Sequence, residues 1–352
     1  MKIVAKTRRF DYLSLIAICL VILISTLVLS SIAKFIFPTY FLYIFLSIIA
    51  FYIFSNIDFD ILSLFSKHVY IASIIFLFLP IIIGQVTRGA IRWIPLGPLS
   101  IQPSEIVRPF LLIFFAGFLT QKELTVKRFI TAVFLLLLPV IFIFIQPSLG
   151  VAVLTIVGFA GVLIASSFQK KYILLGISFI AILLPIIWAI LAPYQKLRLV
   201  TFLQPSTDPL GAGYNSIQSM ISVGSGKILG RGLGKGVQTQ LAFLPERHTD
   251  FIFASIAEEL GFVGSTVTLL GLFFILWRIT LIVENARGPQ ARAFVSGVFL
   301  VIFVQTIVHV GMNMGLLPIT GVPLPLVSAG GSSLLATMIS LAMVYGAKSI
   351  RS

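Results

Sequence analysis

Apolar runs of roughly 18–22 residues recur along the chain, separated by short clusters of charged, glycine and proline residues. A run of that length is what a helix needs to cross a bilayer, so the pattern predicts an all-α polytopic membrane protein with about ten transmembrane helices. Spans are expected at 12–33, 39–55, 69–85, 104–119, 129–145, 149–166, 172–191, 251–276, 293–314 and 327–347. Two features interrupt the alternation: a long loop, 192–250, before helix 8, and a broken Gly/Pro-rich segment before helix 10. The whole chain, 1–352, reads as a single integral membrane domain.

Composition agrees. Hydrophobic residues make up 59% and charged residues 10% of the chain, and mean hydropathy is +1.11. A soluble fold would carry about a quarter charged residues. The net charge of +14 could suggest nucleic acid, but its distribution argues for topology instead. Ten spans put both termini on one side. If that side is cytoplasmic, it holds Lys2, Lys6, Arg8, Arg9, Lys67, Lys122, Lys127, Arg128, Lys170, Lys171, Arg278, Arg287, Arg292, Lys348 and Arg351, which is 15 of the 25 basic residues. The positive-inside rule then places both termini in the cytoplasm, and no nucleic-acid partner is expected. The single cysteine, Cys19, lies inside the first apolar run, so no disulfide framework is expected. The basic start followed by an apolar stretch lacks an A-x-A-like cleavage site, so it reads as an uncleaved first span.

With that orientation, three unusual segments all face outward. The first, 84–109, contains Arg92 and Trp93 and ends in Gln102-Pro103-Ser104-Glu105. Proline and an acid suit the first turn of a helix. Glu105 and Arg108, three apart, are expected to pair on one face, either as an anchor for the fourth helix or as the charged floor of a polar cavity. Trp93 also suits an interfacial aromatic belt. The second segment is the long loop, which mixes glycine with base in VGSGKILGRGLGKGVQTQ and carries Arg198, Lys227 and Arg247. It fits no Walker A register, but its positive charge suits a diphosphate or another polyanion, and loops of this length commonly carry function. In the third segment, GLLPITGVPLPLVSAGGSS, prolines 318, 323 and 325 break the span. Irregular backbone at membrane depth belongs where it is buried or lines a wet cavity. The small residues from Ser328 to Ser333, Ser332 among them, open the last helix, where free N–H groups suit an anionic oxygen, or a close helix contact.

The acids cluster in FLPERHTDFIFASIAEELG. Asp250, beside Arg247 and His248, is expected at the first turn of helix 8 near the watery rim, as a cap or as a general base. Glu246 reads as a loop contact. Glu258 and Glu259 are expected two turns deeper, holding the helix inside its bundle, with Arg108, His309 and Asn313 as candidate partners.

Four stretches together, GAIRWIPLGPLSIQPSE, YQKLRLVTFLQPSTDPLGAGYNSIQS, LPERHTDFIFASIAEELG and GLLPITGVPLPLVSAGGSS, resemble the SEDS family (shape, elongation, division and sporulation), the group of RodA and FtsW. The resemblance runs from about Tyr70 onward, and the GAGYN and GVQTQLAFLPERHTDF wording is more RodA-like than FtsW-like. It implies a ten-helix peptidoglycan glycosyltransferase of the bacterial cytoplasmic membrane. Such enzymes polymerise lipid II into β-1,4-linked strands beside a class B penicillin-binding protein, other elongation or division machinery and membrane lipids. The Asp of the family's HTDF motif, here Asp250, is implied as catalytic, and the family's QPSE with its following basic position maps to Gln102, Pro103, Ser104, Glu105 and Arg108. The expected substrate-binding set joins Gln102, Ser104, Glu105 and Arg108 with Arg92, Trp93, Arg198, Lys227, Arg247, His248, Ser328 and Ser332 of the outward segments. Three positions depart from the family wording: Ser148 replaces the acid of QPDLG, Ala329 the tyrosine of SYGGSS, and Arg108 the more usual lysine. No His/Cys cluster is available, so a metal, if used, would be Mg²⁺ or Mn²⁺ held partly by diphosphate. A lipid II transporter or flippase and an inactive scaffold for a transpeptidase are the competing readings, and a division role is the alternative within the family.

Overall fold

The computed structural model describes residues 11–87, 90–166, 193–204 and 213–348, with isolated positions between 174 and 211. The helical reading holds. The helices are α1 (Tyr12–Ile32), α2 (Phe37–Asn56), α3 (Phe59–Leu64), α4 (Ser66–Ile83), α5 (Pro103–Ile106), α6 (Arg108–Thr120), α7 (Val126–Ile145), α8 (Leu149–Ala165), α9 (Pro193–Leu203), α10 (Tyr214–Ser225), α11 (Val237–Gln240), α12 (Ile252–Glu284), α13 (Pro289–Asn313) and α14 (Gly331–Gly346). Among the described residues, 7 helical stretches are long and apolar enough to cross a membrane, and α8 and α14 are shorter apolar helices. The chain is a multi-pass membrane protein. The seventh expected span, 172–191, falls for the most part outside the described residues.

The core lies where α6, α8, α13 and α14 meet, with Phe115, Phe159, Phe294 and Val298 fully or almost fully buried. Gly158 and Gly161 on α8 and Gly297 on α13 let the two backbones close up, since a Cβ on Gly161 would stand 2.8 Å from the Ser296 carbonyl. Around this centre α1, α2, α4 and α7 present large exposed apolar side chains such as Leu23, Phe45, Ile75 and Phe134, as expected where the solvent is hydrocarbon.

The first irregular segment contains a three-stranded antiparallel meander that the sequence reading did not anticipate: β1 (Gln85–Thr87), β2 (Ala90–Leu96) and β3 (Leu99–Ile101). Leu96 pairs with Leu99 across Gly97-Pro98, and Gly97 takes the positive φ of +63° that this tight turn requires. The hairpin is docked on the helices by Ser100. Its N–H donates to Tyr43 Oη at 2.8 Å, and the Tyr43 hydroxyl donates back to its carbonyl at 2.7 Å.

Helix α12 is not one straight rod. At Gly261 the backbone turns to φ 67°, ψ −163°, and the helix is really two helices joined across a kink. The loop from 226 to 241 wraps this kink: Arg231 and Gly232 N–H donate to the carbonyls of Glu258 and Glu259, and Phe262 and Val263 N–H donate to those of Lys227 and Ile228. The loop's glycines are there for close approach. A Cβ on Gly226 would collide with the Ala257 carbonyl, and one on Gly230 with that of Glu259.

Candidate active site

Asp250 lies just before α12, in a tight turn built by Glu246 through Phe251. Glu246 takes φ 52°, and its carbonyl accepts from Thr249 N at 3.0 Å and Phe251 N at 3.2 Å. Sequence placed Asp250 in the first turn of the helix. The N-cap is instead Phe251, which makes no side-chain cap, so Asp250 is set one residue outside. Its half-buried carboxylate faces Gly321 of the Pro/Gly-rich segment: a Cβ on Gly321, at φ +68°, would sit 3.7 Å from Asp250 Oδ2.

That turn and the segment 315–330 are stitched together through backbone. Ser328 Oγ donates to the Thr249 carbonyl at 2.8 Å and accepts from Leu324 N at 2.8 Å, while Ala329 N donates to the His248 carbonyl at 3.0 Å. The His248 ring packs edge-on against Phe35, and Arg247 Nε donates to the Ile32 carbonyl at 3.2 Å, so both side chains tie the turn to the end of α1. Ser332 Oγ accepts from Gln102 N at 2.9 Å and joins the start of α14 to the start of α5. The hydroxyls of both serines are thus engaged. Each has backbone partners that hold two segments in register.

Residues 102–108 form a buried floor beneath. Gln102 Nε2 donates to Ser148 Oγ at 3.0 Å, so the residue at the departure from QPDLG positions Gln102. Glu105 and Arg108 line a narrow cavity with Gln305, Thr337 and Ser340. The expected ion pair between them is absent: among the described residues, ion pairs join Asp11 with Arg278 and Arg287 with Asp58 and Asp60. Val107 keeps helical backbone angles between α5 and α6, and the two charged groups act on each other across the cavity without direct contact. Arg108 is 92% buried by difference from its 8% exposure, yet its Nε has no hydrogen-bond partner. Neither does Arg92 Nε, although Arg92, half-buried on β2, acts on the Glu105 carboxylate electrostatically. Trp93 neighbours it on the same strand, opposite Gln85. Ser104 is fully buried with its hydroxyl unpartnered.

Two predicted residues remain. Lys227 is exposed on the glycine loop, and its carbonyl meets α12 at Phe262, 12 positions beyond Asp250. Arg198 lies on α9, and its side chain is outside the described residues.

Glu258 and Glu259 do not pair with Arg108, His309 or Asn313. Glu258 accepts from Gln238 N (2.9 Å), Thr239 N (3.0 Å) and Ser222 Oγ (3.3 Å). Glu259 Oε1 accepts from Ser31 Oγ (2.6 Å), Gln240 Nε2 (2.9 Å) and Gly234 N (3.2 Å). Both carboxylates hold the glycine loop against the kink, because a bent helix leaves room for a loop whose free N–H groups need acceptors.

The sequence reading missed a polar ladder on one face of α13, though its i, i+4 spacing was visible. Gln305 Nε2 donates to the Pro323 carbonyl at 2.8 Å and His309 Nδ1 meets the Val322 carbonyl at 2.7 Å. Asn313 Nδ2 donates to the Asp250 carbonyl at 3.0 Å, and its Oδ1 accepts from Ala254 N at 3.0 Å. One helix face thus fixes the segment beside Asp250 and the turn that carries it. Among the described residues no group of three or more His, Cys, Asp and Glu gathers to hold a metal ion.

Residues 3–352 match the family model for FtsW, RodA and SpoVE, described as a cell cycle protein. The chain belongs to the FtsW/RodA/SpoVE family. Within that family it is similar to the peptidoglycan glycosyltransferase MrdB of Escherichia coli K12, 40% identical over 264 residues covering 74% of this chain and 71% of MrdB. It is also similar to the probable peptidoglycan glycosyltransferase FtsW of Pseudoalteromonas translucida, 38% identical over 268 residues, 74% of this chain and 67% of that protein. Among solved structures, a chain from a peptidoglycan synthase complex that coordinates polymerization and crosslinking matches with a TM-score of 0.84 at 28% identity, covering 96% and 97% of the two chains. The rod shape determining protein RodA of Thermus thermophilus matches with a TM-score of 0.73 at 25% identity, covering 96% of each. These likenesses favour the RodA-like side of the FtsW/RodA/SpoVE family.

Proposed function

We propose that this protein is a peptidoglycan glycosyltransferase that polymerises lipid II into β-1,4-linked glycan at the outer face of the bacterial cytoplasmic membrane, in the service of elongation and cell shape. The observation that carries the reading is the setting of Asp250. A half-buried carboxylate is held in a turn outside its helix, facing a glycine, with the surrounding backbone fixed by α13 and the Pro/Gly segment. A general base needs such a defined position, so that it meets a substrate hydroxyl in a fixed geometry. The kinship with MrdB and FtsW supplies the reaction class.

In the reaction, Asp250 takes the proton of the acceptor's GlcNAc 4-hydroxyl as that oxygen attacks the donor's MurNAc anomeric carbon. The new O4–C1 bond forms on the face opposite the departing diphosphate, so the C1–O bond breaks with inversion and undecaprenyl diphosphate leaves carrying the electron pair. The unpartnered Nε–H groups of Arg92 and Arg108 support a role for both against that growing negative charge. Arg247 adds positive charge beside the turn. All 352 residues act as one membrane domain with both termini cytoplasmic, and a class B penicillin-binding protein crosslinks the emerging strand. This partnership is supported by the likeness to a chain of a synthase complex.

The test is lipid II polymerisation by detergent-purified protein. Asp250→Asn keeps shape and hydrogen-bonding capacity but removes the base, so glycan synthesis falls by roughly 10²–10⁴-fold while melting temperature and partner binding hold. Glycan made at the parent rate by that variant overturns the proposal.

A further inference from the structure

The glycine loop has a second face that the active-site reading leaves unused. Its level in the membrane is set by α1, which runs 21 residues from Tyr12 to Ile32 and so measures about 31 Å, the thickness of a hydrocarbon core. At one end of this ruler Asp11 bonds Arg278 of α12, and at the other Ser31 bonds Glu259. The kink at Gly261 and the loop wrapped around it therefore lie at the membrane boundary opposite Asp11, the outer one in the topology proposed above.

Below the kink α12 carries an exposed apolar stripe through Phe262, Leu270, Phe273 and Trp277, the face a bilayer covers. The loop continues that stripe upward. Phe262 N–H and Val263 N–H bond the carbonyls of Lys227 and Ile228, and Ile228 and Leu229 are 67% and 78% exposed. Their exposure is built in: the left-handed backbone at Lys227 (φ 49°) and Gly230 (φ 80°) reverses the chain on either side of them. Three exposed cations, Lys227, Arg231 and Lys235, flank the two apolar side chains. Apolar tips at the acyl boundary with long basic side chains at headgroup level are the pattern of an interfacial anchor, and the charge complements an anionic lipid.

We propose that residues 227–235 bind the outer leaflet. Ile228 and Leu229 insert among acyl chains while Lys227, Arg231 and Lys235 collect anionic phospholipid headgroups, and Glu258 and Glu259 fasten the anchor to α12. This assigns Lys227 to the lipid surface rather than to the substrate set expected from sequence.

The experiment uses the full chain in a Cys19→Ser background with Leu229→Cys carrying an NBD fluorophore, reconstituted in phosphatidylcholine nanodiscs. A small equal mole fraction of phosphatidylglycerol or phosphatidylcholine, doxyl-labelled near the acyl carbonyl, is added as quencher. Doxyl phosphatidylglycerol should quench at least about fivefold more effectively than doxyl phosphatidylcholine, the effect of a single cation at an anionic surface. Lys227→Gln, Arg231→Gln and Lys235→Gln together should equalise the two lipids while quenching by both persists. Ile228→Cys provides a second label site should the first variant fail to fold. The proposal is overturned if the two doxyl lipids quench the parent equally, or if the preference survives the triple substitution. It is equally overturned if neither lipid quenches while aqueous acrylamide does, or if the label becomes shielded only when a partner protein is added.

Discussion

Asn313 holds the main chain of Asp250 from a different helix. Its Nδ2 donates to the Asp250 carbonyl at 3.0 Å and to the His309 carbonyl at 2.8 Å, and its Oδ1 takes the Ala254 N–H at 3.0 Å. One fully buried amide therefore sets both the position of the acid and the first turn of the helix behind it. Asn313→Ala leaves the buried Ala254 N–H and Asp250 carbonyl without their partners and should cost about 1–3 kcal/mol in thermal or denaturant unfolding. The acid also loses registration, so kcat for lipid II polymerisation should fall roughly 10–100-fold with a smaller change in KM. A change confined to KM would remove Asn313 from this positioning role.

His309 acts on the facing segment. The Val322 carbonyl can only accept, so the proton of the buried imidazole sits on Nδ1. An asparagine amide places its N–H close to where Nδ1–H stands, whereas alanine places nothing there. His309→Asn should keep activity within about threefold of the parent, and His309→Ala should lose about 1–3 kcal/mol of stability along with activity. Melting curves and polymerisation rates on the pair of variants make the comparison, and equal losses in both would contradict it.

The bundle was legible in the sequence because hydrocarbon imposes length and composition on each helix, so the expected spans near Tyr12, Phe37, Val126, Leu149 and Pro289 meet observed helices within a few residues. Asp250 was legible from its motif, though the turn that sets it one residue outside α12 was not. What stayed hidden depends on backbone geometry that residue type does not encode. Glu105 and Arg108 line one cavity without a direct ion pair, a separation that their spacing alone does not give. Gly261 looked like an ordinary glycine in an apolar span, yet it bends α12 and turns Glu258 and Glu259 from bundle contacts into anchors of the glycine loop. The hairpin at Ala90–Leu96 was masked by proline and glycine that read as plain loop.

Glu258 makes the loop's attachment testable. Its two oxygens accept the N–H groups of Gln238 and Thr239 in a fully buried setting. Glu258→Ala strands both donors and should cost roughly 2–5 kcal/mol, whereas Glu258→Gln keeps one good acceptor and should cost about half as much. Hydrogen exchange at Gln238 and Thr239 should accelerate in the same order. Unchanged exchange in the alanine variant would separate the loop from this acid.

The opposite end of α1 has an acid sensor of stability. Burial pushes the Asp11 carboxyl up, but the Ser14 hydroxyl and the Arg278 guanidinium, 2.7 Å away, outweigh it and hold the group below its ordinary 3.8. A carboxyl with a lowered folded value adds stability above the unfolded value and loses it as pH falls through the folded one. The melting temperature should therefore drop on acidification below about pH 4, and Asp11→Asn should flatten that part of the profile while lowering stability at neutral pH. A parent and variant with parallel profiles would rule the pair out as the source.

The kink itself admits a sharp substitution test. At φ 67°, ψ −163° Gly261 occupies a backbone region essentially closed to other residues, and a Cβ there would strike Gly230 N and stand 2.6 Å from the Ile228 carbonyl. Gly261→Ala must straighten α12 or displace the loop, and either route should cost about 2–5 kcal/mol through strain and lost loop contacts. Gly288, where a Cβ meets nothing within 4 Å, provides the matched control, and Gly288→Ala should leave stability unchanged. Because Lys227, Arg231 and Lys235 ride on the displaced loop, trypsin should cut Gly261→Ala in this region well before it cuts the parent or the control. Equal cleavage in all three proteins would mean that the loop does not depend on the kink.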